Sequence, residues 1–142
     1  MAVNAGFDSS ELDDLSKELL TLAQEQFPKE TKAFLRKQVR LARNRARRVI
    51  RETVNKKTGN LLKGVTAGKV WKNGDAYQAR VYNDAKHAHL IENGHVLWVH
   101  GKKTEKFVPG KHVMARAGDQ TDEAFAAAAD DFVDDLLGKG LG

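Results

Sequence analysis

The sequence predicts an α+β domain with long N-terminal helices, a small antiparallel β-sheet of hairpins, and a C-terminal helix packed on that sheet. Three observations lead there. Apolar residues recur at spacings of three and four in both the N-terminal and C-terminal thirds, the period of a helix buried on one side. Between them lie short runs rich in Val, Thr, Trp and Tyr, and the dipeptide Asn73-Gly74 separates two of these runs. Asn-Gly between apolar runs is a strong hairpin signal, because a tight turn of the primed type needs positive φ.

Taken in order, Asp8-Ser9-Ser10-Glu11 offers an N-cap oxygen and an acid suited to the positive end of a first helix. Leu12, Leu15, Leu19 and Leu22 follow as its expected apolar stripe. Pro28 fits the first turn of a new helix but breaks an old one, so a bend is expected near Phe27. The second helix is expected from about Lys29 to Asn55, burying Leu35, Val39, Ala42, Ala46, Val49 and Thr53. At 1.5 Å per residue it would run to about 40 Å, long for a chain of 142 residues. Part of it is therefore expected to project or to pack on a neighbouring subunit.

Thr58-Gly59-Asn60 is read as the stop, with Gly59 in the left-handed conformation that favours glycine. Segments 64–71 and 76–82 form the expected hairpin, with Tyr77, Ala79 and Val81 inward and Gln78, Arg80 and Tyr82 outward. Segment 86–93 reads as a short helix closed by Gly94. His95–Val99 and Lys106–Val108 read as a strand pair around a flexible basic loop, Gly101 to Glu105. After Pro109-Gly110 a last helix is expected to about Leu137, on the stripe Met114, Ala117, Thr121, Ala124, Phe125, Ala128, Phe132 and Leu136. The organisation is one domain over 1–142: a helical arm over 7–55, a β-rich core over 58–110, and the C-terminal helix over 111–137.

Composition narrows the function. Hydrophobic residues make up 41% and charged residues 30%, as in an ordinary soluble domain. The chain has no cysteine, which removes disulfides, zinc–thiolate sites and thiol nucleophiles. The N-terminal residues carry neither a basic nor an apolar signal region, and no apolar run reaches the roughly 20 residues that span a bilayer. The expectation is a protein made in a reducing cytoplasm with no membrane partner.

The net charge of +5 is segregated: 12 of the 24 Lys and Arg residues lie between Lys29 and Lys57, against two acids, Glu30 and Glu52. That segment carries a local +10 and the remainder −5, with acids gathered towards both termini. One basic face between acidic ends suggests contact between subunits, or with a single acidic partner.

Arg36, Arg40, Arg43, Arg47 and Arg51 form a stripe one residue round from the buried one. Guanidinium groups at this spacing can contact phosphates, yet no aromatic residues interleave with them to stack on bases. A subunit-facing ridge paired with acidic helices is therefore the preferred reading, and a nucleic-acid-binding accessory protein using the basic helix 36–51 is the alternative. Five histidines lie between His87 and His112, and His87-Ala88-His89 invites a metal. On a helix, however, positions two apart diverge, and Glu92 and Asp84 complete no recognised ligand spacing. The acids of the last helix read as a wet face. No Gly-x-Ser-x-Gly elbow or phosphate loop is present. The expectation is no catalytic set, no metal site and no cofactor; a metal-dependent hydrolase built on the histidines is the remaining enzyme reading.

A long basic helix, then Thr58-Gly59-Asn60-Leu61, a hairpin, the segment Ala88-His89-Leu90-Ile91-Glu92-Asn93-Gly94, and Pro109-Gly110-Lys111-His112-Val113-Met114 before a final helix form an ordered pattern. It resembles the minor tail-component family of long-tailed bacteriophages, whose members act in tail completion and head–tail joining. The likeness runs from about residue 7 to 137. It implies a structural virion protein, assembled in the bacterial host cytoplasm as a homo-oligomeric ring. Its partners would be other copies and neighbouring neck or tail-tube proteins, with weak non-specific contact to DNA in the lumen. The motif residues Thr58, Gly59, Leu61, Ala88, Glu92, Gly94, Pro109 and Gly110 would then be structural. Gly59 and Gly94 would set positive-φ turns, Glu92 would accept hydrogen bonds near the sheet edge, and Phe107 to His112 would seat the loop.

One test follows from the histidines alone. Protein purified without a metal-affinity step should contain no stoichiometric metal by elemental analysis. Changing His87 and His89 together to Ala should alter stability by no more than about 0.5 kcal/mol. One zinc per chain, lost in that variant, would refute this.

Overall fold

The computed structural model describes residues 2–4, 14–54, 59–74 and 76–139. Short strand β1 (Ala2–Asn4) is followed by helices α1 (Asp14–Gln26), α2 (Pro28–Thr53) and α3 (Gly59–Gly64). Strands β2 (Val65–Ala67), β3 (Trp71–Asn73), β4 (Ala76–Gln78) and β5 (Arg80–Asn83) come next, then helix α4 (Ala88–Asn93). Strands β6 (Gly94–Val99) and β7 (Lys102–Pro109) and helix α5 (Val113–Gly138) complete the chain. The α+β expectation holds: helices dominate, and all strand pairs are antiparallel.

The break at Pro28 is real, and its geometry follows from proline chemistry. Pro28 opens α2, which needs no amide donor there. Phe27, at φ −130° and ψ 60°, carries the bend. Buried Thr31 secures it by donating its hydroxyl to the Ala23 carbonyl at 3.2 Å, across the junction. The stripe expected on α1 is displaced by one position. Leu20, Ala23 and Gln24 are buried, whereas Leu15 and Leu22 are exposed; Leu12 lies outside the described residues. Among four leucines and an alanine with nearly equal claims, docking against α2 and α5 selects the Leu20 side. Gln24 contributes a polar tie, accepting the Tyr77 backbone N–H at 2.7 Å.

Helix α2 buries Leu35, Val39, Ala42, Ala46 and Val49 as expected, and also Thr31, Gln38 and Ile50. It ends at Thr53 with Val54 extended. It does not stand free, because α5, also 26 residues long, packs along it. On α5 the buried residues are Val113, Met114, Ala117, Thr121, Phe125, Ala129, Val133 and Leu136. The expected Ala124, Ala128 and Phe132 are only partly buried. Two adjoining clusters form the main core. Val39 to Ile50 of α2 meets Val65, Ala79 and Val81 of the sheet and Val113, Met114 and Ala117 of α5. Leu20 and Leu35 meet Phe125, Ala129 and Val133 beyond it, where the Phe34 ring stacks on Phe132 at 4.4 Å. The C-terminal helix thus packs on the sheet through its first turns, and along α1 and α2 over the rest of its length.

In the sheet the order is β1-β5-β2, with β3–β4 as the outer half of the same long hairpin. Asn73 pairs with Ala76, and Gly74 turns the chain between them at φ 64°. Along 77–82 the alternation is as expected: Ala79 and Val81 are buried and Arg80 is exposed. The register of β1 on β5 has no counterpart in the sequence reading, since three residues are too few to show a period.

Two expectations are corrected. Gly59 does not stop α2 in a left-handed turn; it opens α3 and is absent from the glycines with positive φ. Thr58 lies outside the described residues, and Leu61 packs part-buried on the core. The second correction is the loop at Gly101 to Glu105. Its residues from Lys102 onward belong to β7, and the turn is the pair His100-Gly101, both at positive φ (49° and 77°). A two-residue primed turn extends the ladder to the tip.

The remaining motif residues meet at one junction. Ala88 and Glu92 are buried in α4, and Gly94 closes that helix at φ 86°. The Lys111 and His112 amides donate to the Ile91 and Glu92 carbonyls at 2.7 and 3.2 Å. The backbone runs so close that a Cβ on Gly110 would collide with the Glu92 carbonyl and Asn93, and one on Gly94 would sit 2.6 Å from the Val108 carbonyl. The Glu92 carboxylate accepts the Met114 and Ala115 amides at 2.8 and 3.1 Å. It therefore caps α5, since the flanking His112 makes no side-chain cap. Glu92 accepts hydrogen bonds as expected, but at a helix terminus and not at a sheet edge.

Three substitutions separate these roles in urea unfolding. Glu92→Ala should cost about 1–3 kcal/mol, because two amide donors are orphaned and a negative charge leaves a helix N-terminus. Gly110→Ala should cost at least as much, or prevent folding. Gly59→Ala, with open space around its Cα, should be neutral or stabilising by up to about 1 kcal/mol.

Candidate functional site

The arginine stripe of α2 divides among three environments. Arg36 and Arg40 are exposed and Arg43 is half-buried; together with Val39 they form one wall of an open cleft of about 450 Å³. The opposite wall is the β2–β3 connection, Ala67 to Val70, which brings Lys69 to face the arginines. Arg47 turns inward and donates its terminal nitrogen to the Val65 carbonyl at 3.3 Å, fastening α2 to the start of β2. Arg51 is exposed in the last turn of α2, where a cation suits the helix terminus. Three of the five thus share a surface, one ties the fold together, and one serves the helix end.

This cleft exists because the long hairpin is interrupted. Between β2 and β3 the chain leaves the ladder, and a single bond from the Gly68 amide to the Arg80 carbonyl (2.7 Å) holds it. A Cβ on Gly68 would press on that carbonyl at 3.0 Å, so the glycine lets the connection lie low and open the cleft. Val70 packs against both core clusters and anchors the connection from below.

Among the described residues no acid lines the cleft. The Arg43 Nε is buried and has no hydrogen-bond partner among them; such a donor favours an incoming acceptor, because an unpaired buried donor is costly. Arg45, further along α2 and outside the stripe, has its pKa lowered by burial and by the charge of nearby Arg48.

Gly68 and Lys69 also border a second hollow, lined by Trp71, Arg80 and Tyr82. The Arg80 guanidinium lies 5.3 Å from the centre of the Trp71 ring, within cation–π range. Cross-strand pairing sets this contact: Trp71 opposes Gln78, which puts Arg80 on the neighbouring diagonal of the same face. The sequence reading found no aromatics among the arginines. The fold supplies them from another element, together with Lys69 and Arg80. The wet positions of Arg80 and Tyr82 were visible in the alternation of 77–82, but their nearness to α2 was not.

The histidines do not assemble. His87 and His89 are both exposed, and Glu92 is committed to capping α5. Among the described residues no group of three or more His, Asp or Glu side chains could hold a metal. Nor is any described helix long and apolar enough to cross a membrane.

No curated protein and no solved structure matches the chain. A family profile does, over residues 11–94. That span contains α1 and α2, the cleft, the hairpin and α4, more than half of the 142 residues. The chain belongs to the bacteriophage HK97-gp10-like family of tail components.

Proposed function

We propose that this tail component acts in tail completion or head–tail joining, as a homo-oligomeric ring assembled in the host cytoplasm. On this reading it is a structural protein without catalysis or cofactor, in contact with neighbouring neck or tail-tube proteins. The cleft between α2 and the β2–β3 connection receives an acidic surface of an adjoining virion subunit. The observation that carries this is the convergence of Arg36, Arg40, Arg43 and Lys69 in a cleft lined by no acid among the described residues. Membership of a tail-component family supports the setting. Each exposed ion pair is worth only about 0–1 kcal/mol, so four cations acting on one partner make a contact that depends on salt.

A second reading, direct binding of nucleic acid along the same cleft, is favoured by one specific feature. Trp71, with 37% of its surface exposed, and Tyr82 continue the cationic cleft, as in surfaces that combine backbone charge with base stacking.

Replacing Arg36, Arg40 and Arg43 with Gln removes the charge and keeps helix propensity. Arg47 is left in place because it holds β2. The variant should fold with unchanged circular dichroism, bind free duplex no differently at about 150 mM salt, and fail to complement particle assembly. Micromolar or tighter binding of DNA by the native protein, lost in the variant, would overturn the first reading in favour of the second. Normal particles from the variant would refute an assembly role for the cleft.

A further inference from the structure

The β6–β7 hairpin stands apart from the core. Beyond each other, its strands pack chiefly on α4, and among the described residues neither contributes to a core cluster. Val99 is 45% exposed and Phe107 61% exposed. An isolated two-stranded hairpin is marginal in water, yet this one is built with care. Thr104 donates its hydroxyl to the Leu97 carbonyl at 2.6 Å and accepts the Lys106 amide, bridging the bulge between Val96 and Trp98. The arm leaves the junction at Gly94 and Gly110, beside the N-terminus of α5. Its tip carries Val99, Lys102 and Lys103, all exposed.

A complementary surface lies at the other end of the helical layer. Ala23 of α1 meets Leu136 of α5 there. Their sequence neighbours Leu22 and Leu137 are about 40% exposed (40% and 41%), and Asp134 and Asp135 on the last turns of α5 are exposed. Apolar side chains rimmed by acids are what an arm with an apolar, lysine-bearing tip would seek. The cleft on α2 cannot receive the arm, because like charges would face each other.

We propose that the β6–β7 arm of one copy docks, through Val99, Lys102 and Lys103, on the Leu22, Leu137, Asp134 and Asp135 end of the next copy. The base of the arm and the acceptor sit at opposite ends of α5, about 39 Å apart for 26 residues at 1.5 Å each, and the eight residues of β7 span only about 26 Å. An arm therefore cannot reach its own acceptor, and a head-to-tail contact of this type generates a ring where the rotation between copies closes. This inference rests on the homo-oligomeric reading and assigns its copy–copy contact to the arm, leaving the cleft to another subunit.

A charge exchange tests it in the full chain. Lys102→Glu with Lys103→Glu, and separately Asp134→Lys with Asp135→Lys, should each raise the dissociation constant for self-association by about tenfold or more, read by sedimentation. The exposed positions should leave the urea midpoint unchanged. Combining all four substitutions restores opposite charges across the contact and should recover association. If the native chain assembles and either double variant assembles equally well, the arm inference fails and the oligomer stands. Failure of the fourfold variant to recover also overturns the pairing, and would direct the lysines to a different partner, such as nucleic acid. A native chain that is monomeric at every concentration and salt overturns both the inference and the oligomer.

Discussion

The Glu92 carboxylate holds the first amides of α5, and the Gly110 backbone rests directly on the turn that ends α4. This contact joins three segments distant in sequence. It sets where α5 begins and therefore which of its faces meets α2. A helix that started one residue later would present a face rotated by about 100°, and Met114, Ala117, Thr121 and Phe125 would no longer point together into the core. The same junction fixes the base of the β6–β7 arm. One buried acid and two glycines thus determine both the helical layer and the element that projects from it.

The helical layer in turn organises charge. Helices α2 and α5 lie side by side and bury alternating small and large residues between them. The small ones, Ala42 and Ala46 on α2 and Ala117 and Ala129 on α5, let the backbones approach. What faces outward differs: cations on α2, acids on α5. A protein with +5 overall therefore offers separate surfaces of each sign.

The sequence carried the two long N-terminal helices, the bend at Pro28, the buried stripe of α2, the alternation of β5 and the closing role of Gly94, because each depends on local sterics or on a clean period. The stripe of α1 was misread by one position because four leucines made two faces almost equally apolar, and only the partner helices choose between them. Gly59 was misassigned for a related reason: glycine permits a left-handed stop but does not require one. The tip of the β6–β7 arm was taken for a loop because its strand is polar. A hairpin with both faces in water shows no hydrophobic alternation.

By itself, then, the sequence determined the α+β class, the segregation of charge, the lack of thiol chemistry and the motif order of a tail-component family. These are properties of composition and short-range spacing, which need no knowledge of what packs where. Only the tertiary structure decided which arginines act together. Arg36, Arg40 and Arg43 share a cleft with Lys69, while Arg47, on the same stripe, is turned inward to Val65. Trp71, Arg80 and Tyr82 reach that surface through strand pairing 28 to 46 residues along the chain from those three arginines, and Glu92 finds its helix 22 residues away. Spacing along a chain records the faces of single elements; the meeting of faces depends on docking, and no local pattern encodes it.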